Sequence, residues 1–239
     1  MTITDGAPTA KDRLAVALDA PTLEDAVALA REVSPHAGVL KVGLELFTEA
    51  GPAAVREIAR HGSVFLDLKL HDIPETVERA VSRARALGAR YLTVHAAGGP
   101  EMLRRAAQAA EGSALTILAV TVLTSLTDSD LEAVGVQGGA SAQAARLAEL
   151  AWSCGVRGFV CSPLEVASLS ARFVGGTFVT PGIRPAGAAA SDQKRVGTPG
   201  EAIRAGASVL VVGRPIRDAA DRARAAAAIE QEIQEALSR

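Results

Sequence analysis

The stretch Phe65-Leu66-Asp67-Leu68-Lys69-Leu70-His71-Asp72-Ile73-Pro74 decides how the rest of the chain is read. It begins as an apolar, strand-like run and ends in charge. Strand side chains alternate faces, so Asp67 and Lys69 are expected on one face and Leu66, Leu68 and Leu70 on the other. Ile73-Pro74 then opens a helical pattern, which leaves Asp72 in the turn between the two. An isolated carboxylate–ammonium pair is commonly just a structural or solvated contact. Its meaning depends on what the chain brings beside it.

Upstream, Arg13 to Leu18 reads as a buried strand ending in Asp19. Thr22 caps a helix running to about Val33. Val39 to Val42 is a second strand, followed by Gly43 and a helix from about Gly51-Pro52 to Arg60. Downstream, a helix covers Ile73 to Leu87, a strand Tyr91 to His95 and a helix Pro100 to Ala110. A strand over Leu115 to Val122 leads through the polar loop of Thr124, Ser125 and Thr127 into a longer helical region ending near Cys154. Strands follow at 158–161, 178–180 and 209–212, and an alanine-rich helix over about Asp218 to Leu237 closes the chain. Short apolar strands alternating with helices, with no break in composition over residues 1–239, predict a single α/β domain with a parallel sheet. The length and the eightfold alternation point to a (β/α)8 TIM barrel. An open doubly wound sheet is the alternative, but no GxGxxG follows the first strand.

Composition narrows the classes of function. Aromatic residues are 3% of a chain that is 49% hydrophobic, so aliphatic side chains and alanine must fill the core. A net charge of −2 gives no electrostatic reason to expect nucleic acid or an anionic membrane as partner. Cys154 and Cys161 lack a CxxC spacing and the four histidines are scattered, so neither a disulfide framework nor a metal site is expected. Reduced thiols, no apolar run long enough to span a bilayer and no apolar leader predict a cytoplasmic protein.

In a (β/α)8 barrel the chemistry sits at the C-terminal ends of the strands. Here those ends are polar: Asp19, Lys41, Asp67 with Lys69, His95, Thr121 with Thr124, Cys161-Ser162, Thr180-Pro181-Gly182 and Gly213-Arg214. Charges from separate strands would therefore converge, and Lys41, Asp67, Lys69 and Asp72 could form one alternating network. Gly213-Arg214 follows the last strand, where barrels often bind phosphate. The segment from Pro181 to Val196 holds Arg184 and a run of small residues before Gln193, and it reads as a lid. His95, Cys161 and Trp152 are assigned to walls and packing.

These residues together resemble the orotidine 5'-phosphate decarboxylase family over nearly the whole chain. The resemblance rests on Leu18-Asp19, Lys41-Val42-Gly43, the 65–74 stretch, Val120 to Ser125, Thr180 to Arg184 and Val212-Gly213-Arg214, all in the family's order. Glu75 departs from the asparagine found in many members, next to the site but outside its charged residues. The resemblance implies a catalytic network of Lys41, Asp67, Lys69 and Asp72, with Asp72 and Thr76 supplied by the second subunit of a homodimer. It implies that Asp19 holds ribose hydroxyls, that Thr124 and the Pro181 backbone lie near the pyrimidine, and that Gln193, Gly213 and Arg214 bind phosphate with support from Arg184. No cofactor and no metal are implied.

The chemistry suits those residue types. Loss of carbon dioxide from C6 of orotidine monophosphate leaves a carbanion with no adjacent carbonyl to delocalise it, so stabilisation must be electrostatic. An ammonium fixed by carboxylates keeps its charge, sits where negative charge develops and can then protonate C6. Lys69 is the expected donor, with Asp67 near the departing carboxylate. Two other readings remain from the sequence: a magnesium-dependent sugar-phosphate decarboxylase or synthase on the same DxKxxD scaffold, and a non-catalytic phosphate-ligand sensor.

Overall fold

Residues 7–185 and 196–238 are described by the structure, a computed structural model. Its strands are β1 (Leu14–Ala17), β2 (Val39–Val42), β3 (Ser63–Leu70), β4 (Tyr91–His95), β5 (Thr116–Val120), β6 (Gly158–Val160), β7 (Thr177–Thr180) and β8 (Val209–Val212). Each pairs in parallel with its neighbours in sequence, and β1 also pairs with β8, which closes the barrel. Parallel order sends every strand's C-terminal end to one face, and that face carries the polar residues named above.

The strands are apolar on both sides because each side packs against something dry. Ala15, Val39, Phe65, Tyr91, Leu118, Val179 and Val209 fill the barrel interior. Phe65 and Tyr91 meet there edge to face, with ring centroids 6.0 Å apart. The alternate residues, among them Leu14, Leu40, Leu66, Leu92 and Phe159, face outward against the helices. Trp152 stacks on Phe159 at 6.2 Å in this outer layer, as expected of a packing residue. Gly158 is required by crowding at the β5–β6 contact, where a Cβ would stand 2.6 Å from the Ile117 carbonyl oxygen.

The helices are α1 (Leu23–Val33), α2 (Leu44–Ala50), α3 (Pro52–Ile58), α4 (Pro74–Ala86), α5 (Pro100–Ala110), α6 (Asp128–Ala133), α7 (Gly139–Ser153), α8 (Val166–Arg172), α9 (Pro199–Arg204), α10 (Arg214–Arg217) and α11 (Arg222–Leu237). Thr22 caps α1 as predicted, its hydroxyl accepting the Asp25 N–H at 3.1 Å. Proline opens α3, α4, α5 and α9, where its missing N–H has no intrahelical partner to lose.

Three expectations need correction. α2 was not expected; it is one short helix ended by Gly51, whose φ of 53° separates it from α3. The long region before Cys154 is two helices, parted by Gly135, Gly138 and Gly139 in left-handed backbone. The closing helix begins later than Asp218, at the Asp221 cap, after the short α10 has already turned the chain. No helix among the described residues is long and apolar enough to cross a membrane.

Candidate active site

Strand alternation delivers the charges. Lys41 lies two positions beyond the interior residue Val39 on β2, and Asp67 and Lys69 follow the interior residue Phe65 on β3. Asp19 stands just past the end of β1. Lys41 Nζ donates to Asp19 Oδ1 at 3.0 Å and stands 3.7 Å from Asp67 Oδ2. Lys69 Nζ donates to both oxygens of Asp67 at 2.9 Å. The result is an alternating array, Asp19, Lys41, Asp67, Lys69, drawn from three strands. Gly43 leaves room for its first pair, because a Cβ there would lie 2.9 Å from both Asp19 Oδ1 and Lys41 Nζ.

The array is held in an unusual backbone. Simple alternation predicted a regular strand through Lys69; the side chains face as predicted, but the chain does not run regularly. Leu66 pairs with Leu92 and Leu70 with Val94, so residues 67–69 of β3 lie opposite Thr93 alone. Lys69 adopts φ 49°, the left-handed region that non-glycine residues seldom enter. Its N–H donates to Thr93 Oγ1 at 2.8 Å, and that hydroxyl donates to Asp67 Oδ1 at 2.9 Å.

Burial by itself would raise the Asp67 carboxyl, but Lys41, Lys69 and the hydrogen bonds from Lys69 and Thr93 outweigh it and hold the group below its ordinary range. His95 is lowered by burial first, then by the neighbouring His71 and by the charge of Lys69, which favours its neutral form.

A cavity of about 560 Å³ opens over the barrel mouth. Its walls include Asp19, Lys41, Asp67, Lys69, Thr124, Pro181, Arg184, Gly213 and Arg214, which brings together nine of the predicted residues. A Cβ on Gly213 would meet only Ala17 Cβ at an ordinary 3.6 Å, so protein packing alone does not demand glycine there. Arg184 is buried, and its guanidinium is shifted down by burial and then by the charge of nearby Arg214. Two like charges beside one cavity favour an anion between them.

Asp72 and Thr76 do not join this group. Both are exposed at the start of α4, outside the cavity wall of their own chain, and Asp72 Oδ1 accepts the Ile73 N–H at 2.6 Å. Gln193 lies outside the described residues. Glu75 pairs with Arg79 on the exposed side of α4.

Sequence reasoning missed Thr93, Glu45 and Arg217. Glu45 and Arg217 line the cavity, and Arg217 Nη1 donates to the Asp19 carbonyl at 3.1 Å, steadying the chain at that carboxylate. The spacing of Arg217 three residues beyond Arg214 was the available signal, since one helical turn returns to the same side. Nothing local marks Thr93.

Residues 12–229 match the sequence profile described as the orotidine 5'-phosphate decarboxylase / HUMPS family. The chain is 58% identical over 220 residues to an orotidine 5'-phosphate decarboxylase of Anaeromyxobacter sp. (strain K), covering 91% of this chain and 96% of that one. It is 52% identical over 225 residues to the protein of the same name from Thermobifida fusca (strain YX), covering 92% and 95%. Among solved structures it is similar to orotidine 5'-phosphate decarboxylase from Lactobacillus acidophilus, with a TM-score of 0.82, 37% identity and coverage of 93% and 99%.

Proposed function

This chain belongs to the orotidine 5'-phosphate decarboxylase / HUMPS family, acts as a decarboxylase of orotidine 5'-phosphate in pyrimidine biosynthesis and, we propose, does so by electrostatic stabilisation of a carbanion in the cavity just described. The observation that carries the reading is the array Asp19, Lys41, Asp67, Lys69 at the barrel mouth. When the bond from C6 to the carboxylate breaks, carbon dioxide leaves and the electron pair stays on C6. The ammonium of Lys69, held by Asp67, stabilises that pair and then transfers a proton to C6, giving uridine 5'-monophosphate. Asp67 repels the substrate carboxylate and so opposes the ground state. Lys41 holds Asp67 and Asp19 in place, and Asp19 accepts from the ribose hydroxyls.

Arg184, Gly213 and Arg214 receive the phosphate, whose charge relieves the repulsion between the two guanidinium groups. Binding energy gathered there, remote from C6, organises the charged groups at the reacting atom. Thr124 and Pro181 flank the pyrimidine. The protein works as a homodimer in which a second copy supplies Asp72 and Thr76. Supporting this, Asp72 is exposed and is followed by Ile73, which is 66% exposed, while Leu44, next to the cavity residue Glu45, is 56% exposed. Exposed large apolar side chains of this kind suit an interface. Cys154 and Cys161, both buried and without a CxxC spacing, suit a reducing, cytoplasmic location.

The magnesium-dependent rival is disfavoured by the lysines. Lys41 stands between Asp19 and Asp67 and Lys69 covers both oxygens of Asp67, so the carboxylates are already neutralised. Incubation of the purified protein with orotidine monophosphate, followed by loss of the orotate absorbance with and without chelator, tests the mechanism. Turnover indifferent to chelator is expected; turnover abolished by chelator would replace the electrostatic mechanism with a metal-assisted one.

A further inference from the structure

The hydroxyl of Thr93 is fully buried on β4 and is not part of the cavity wall, so it does not meet the substrate. It nevertheless contacts both partners of the central ion pair. The Lys69 N–H can only donate and the ionised Asp67 carboxylate can only accept. The hydroxyl must therefore accept from Lys69 N at 2.8 Å and donate to Asp67 Oδ1 at 2.9 Å, with no freedom to reverse. It sits where β3 carries three residues against one. A backbone that has turned to φ 49° gives up its ladder geometry, and a buried N–H left without an acceptor is strongly unfavourable. Thr93 supplies that acceptor.

We propose that Thr93 is a positioning residue for the decarboxylation: its hydroxyl stabilises the left-handed conformation of Lys69 and, through the same atom, orients the Asp67 carboxylate that grips the Lys69 ammonium. The inference rests on the assignment of Lys69 and Asp67 as the reacting pair. β-Bulges commonly re-aim a side chain next to an active site, and here the bulge needs a hydroxyl from the neighbouring strand to hold its aim. Valine fills nearly the same volume without either bond, whereas serine keeps both.

Thr93→Val and Thr93→Ser, measured beside the wild type, test this. For Thr93→Val, kcat should fall by about 10- to 100-fold, as expected for a reacting group misplaced by a fraction of an ångström to an ångström, while affinity for uridine monophosphate changes by less than about threefold. Thr93→Ser should restore kcat to within about threefold of wild type. The acid limb of the kcat–pH profile of Thr93→Val should move to higher pH, because Asp67 loses a donor while Lys41, Lys69 and His95, which face it, are unchanged. Unaltered kcat, equal losses in kcat and product affinity, or a serine variant as impaired as valine would each overturn the proposal. So would failure of both Thr93→Val and Thr93→Ala to fold, since the hydroxyl would then support the barrel and not the site. Absence of turnover by the wild type would instead remove the reading on which the proposal rests.

Discussion

Lys69 combines two costs that an ordinary surface lysine avoids. Left-handed backbone at a non-glycine residue costs about 1–2 kcal/mol, and its side chain is held beside Asp67, not spread in solvent. Both are consistent with a residue placed for chemistry. Lys69→Ala should lower kcat by about 1,000-fold or more while leaving uridine monophosphate bound through the distant phosphate contacts. Kinetics and product titration read the two separately, and parallel losses would mark a structural lysine. Asp67 carries the pH dependence. Its folded-state carboxyl lies below its unfolded value of about 3.9, so it binds fewer protons when folded and adds stability above that pH. That contribution fades as pH falls through the unfolded and then the folded value. Asp67→Asn should therefore be less stable than wild type by about 1–3 kcal/mol near neutrality, with the gap closing below about pH 4. Denaturant melts at neutral and acidic pH would show a constant gap if the carboxylate were not the cause.

The elements place these residues, and one element ends at the remote anchor. β8 stops at Val212, and Gly213-Arg214 turns the chain into α10 at the cavity wall. Arg214 should contribute binding energy at a distance from C6. Arg214→Ala should reduce kcat/KM for the nucleotide by about 100-fold or more, yet alter turnover of the phosphate-free nucleoside by less than about threefold. Equal effects on both substrates would contradict the phosphate assignment. α9 offers a contrast in pure stability: Thr198 and Glu201 form a reciprocal capping box at its start. Thr198→Ala should cost about 1 kcal/mol and lower the melting temperature by about 2–4 °C. Thermal denaturation checks it, and no shift would mean that α9 is held by packing alone.

At the scale of the molecule, the proposed homodimer turns on whether Asp72 acts in its own chain or in a partner's site. Asp72 is three residues past Lys69, yet it lies exposed outside its own chain's cavity. If a partner supplies it, inactive Lys69→Ala and Asp72→Ala proteins should complement one another. In a mixed two-fold dimer one site collects both defects and the other neither. Random mixing makes half the dimers mixed, so activity should return to about a quarter of wild type. Co-expression with differently tagged subunits confirms the mixing. Mixed dimers without activity would put Asp72 to work in its own chain.

Much of this was legible in the chain because the relevant signals are local. Strand alternation assigned Asp67 and Lys69 to one face, apolar strands recurring between helices implied the barrel, and the 65–74 and 180–184 motifs carried the family resemblance. The division of the region before Cys154 into α6 and the longer α7 was not read from the chain, because the left-handed backbone of Gly135, Gly138 and Gly139 was not anticipated. What only the tertiary structure decided depends on register between strands. Thr93 is 26 positions from Asp67, and Arg217 is 198 from the Asp19 carbonyl it holds. The bulge opposite Thr93, the turn of Lys69 into left-handed backbone and the joining of Asp19 to Lys41 all arise when neighbouring strands are laid side by side at a particular offset. No local propensity encodes that offset, because it is set by the closure of the whole barrel.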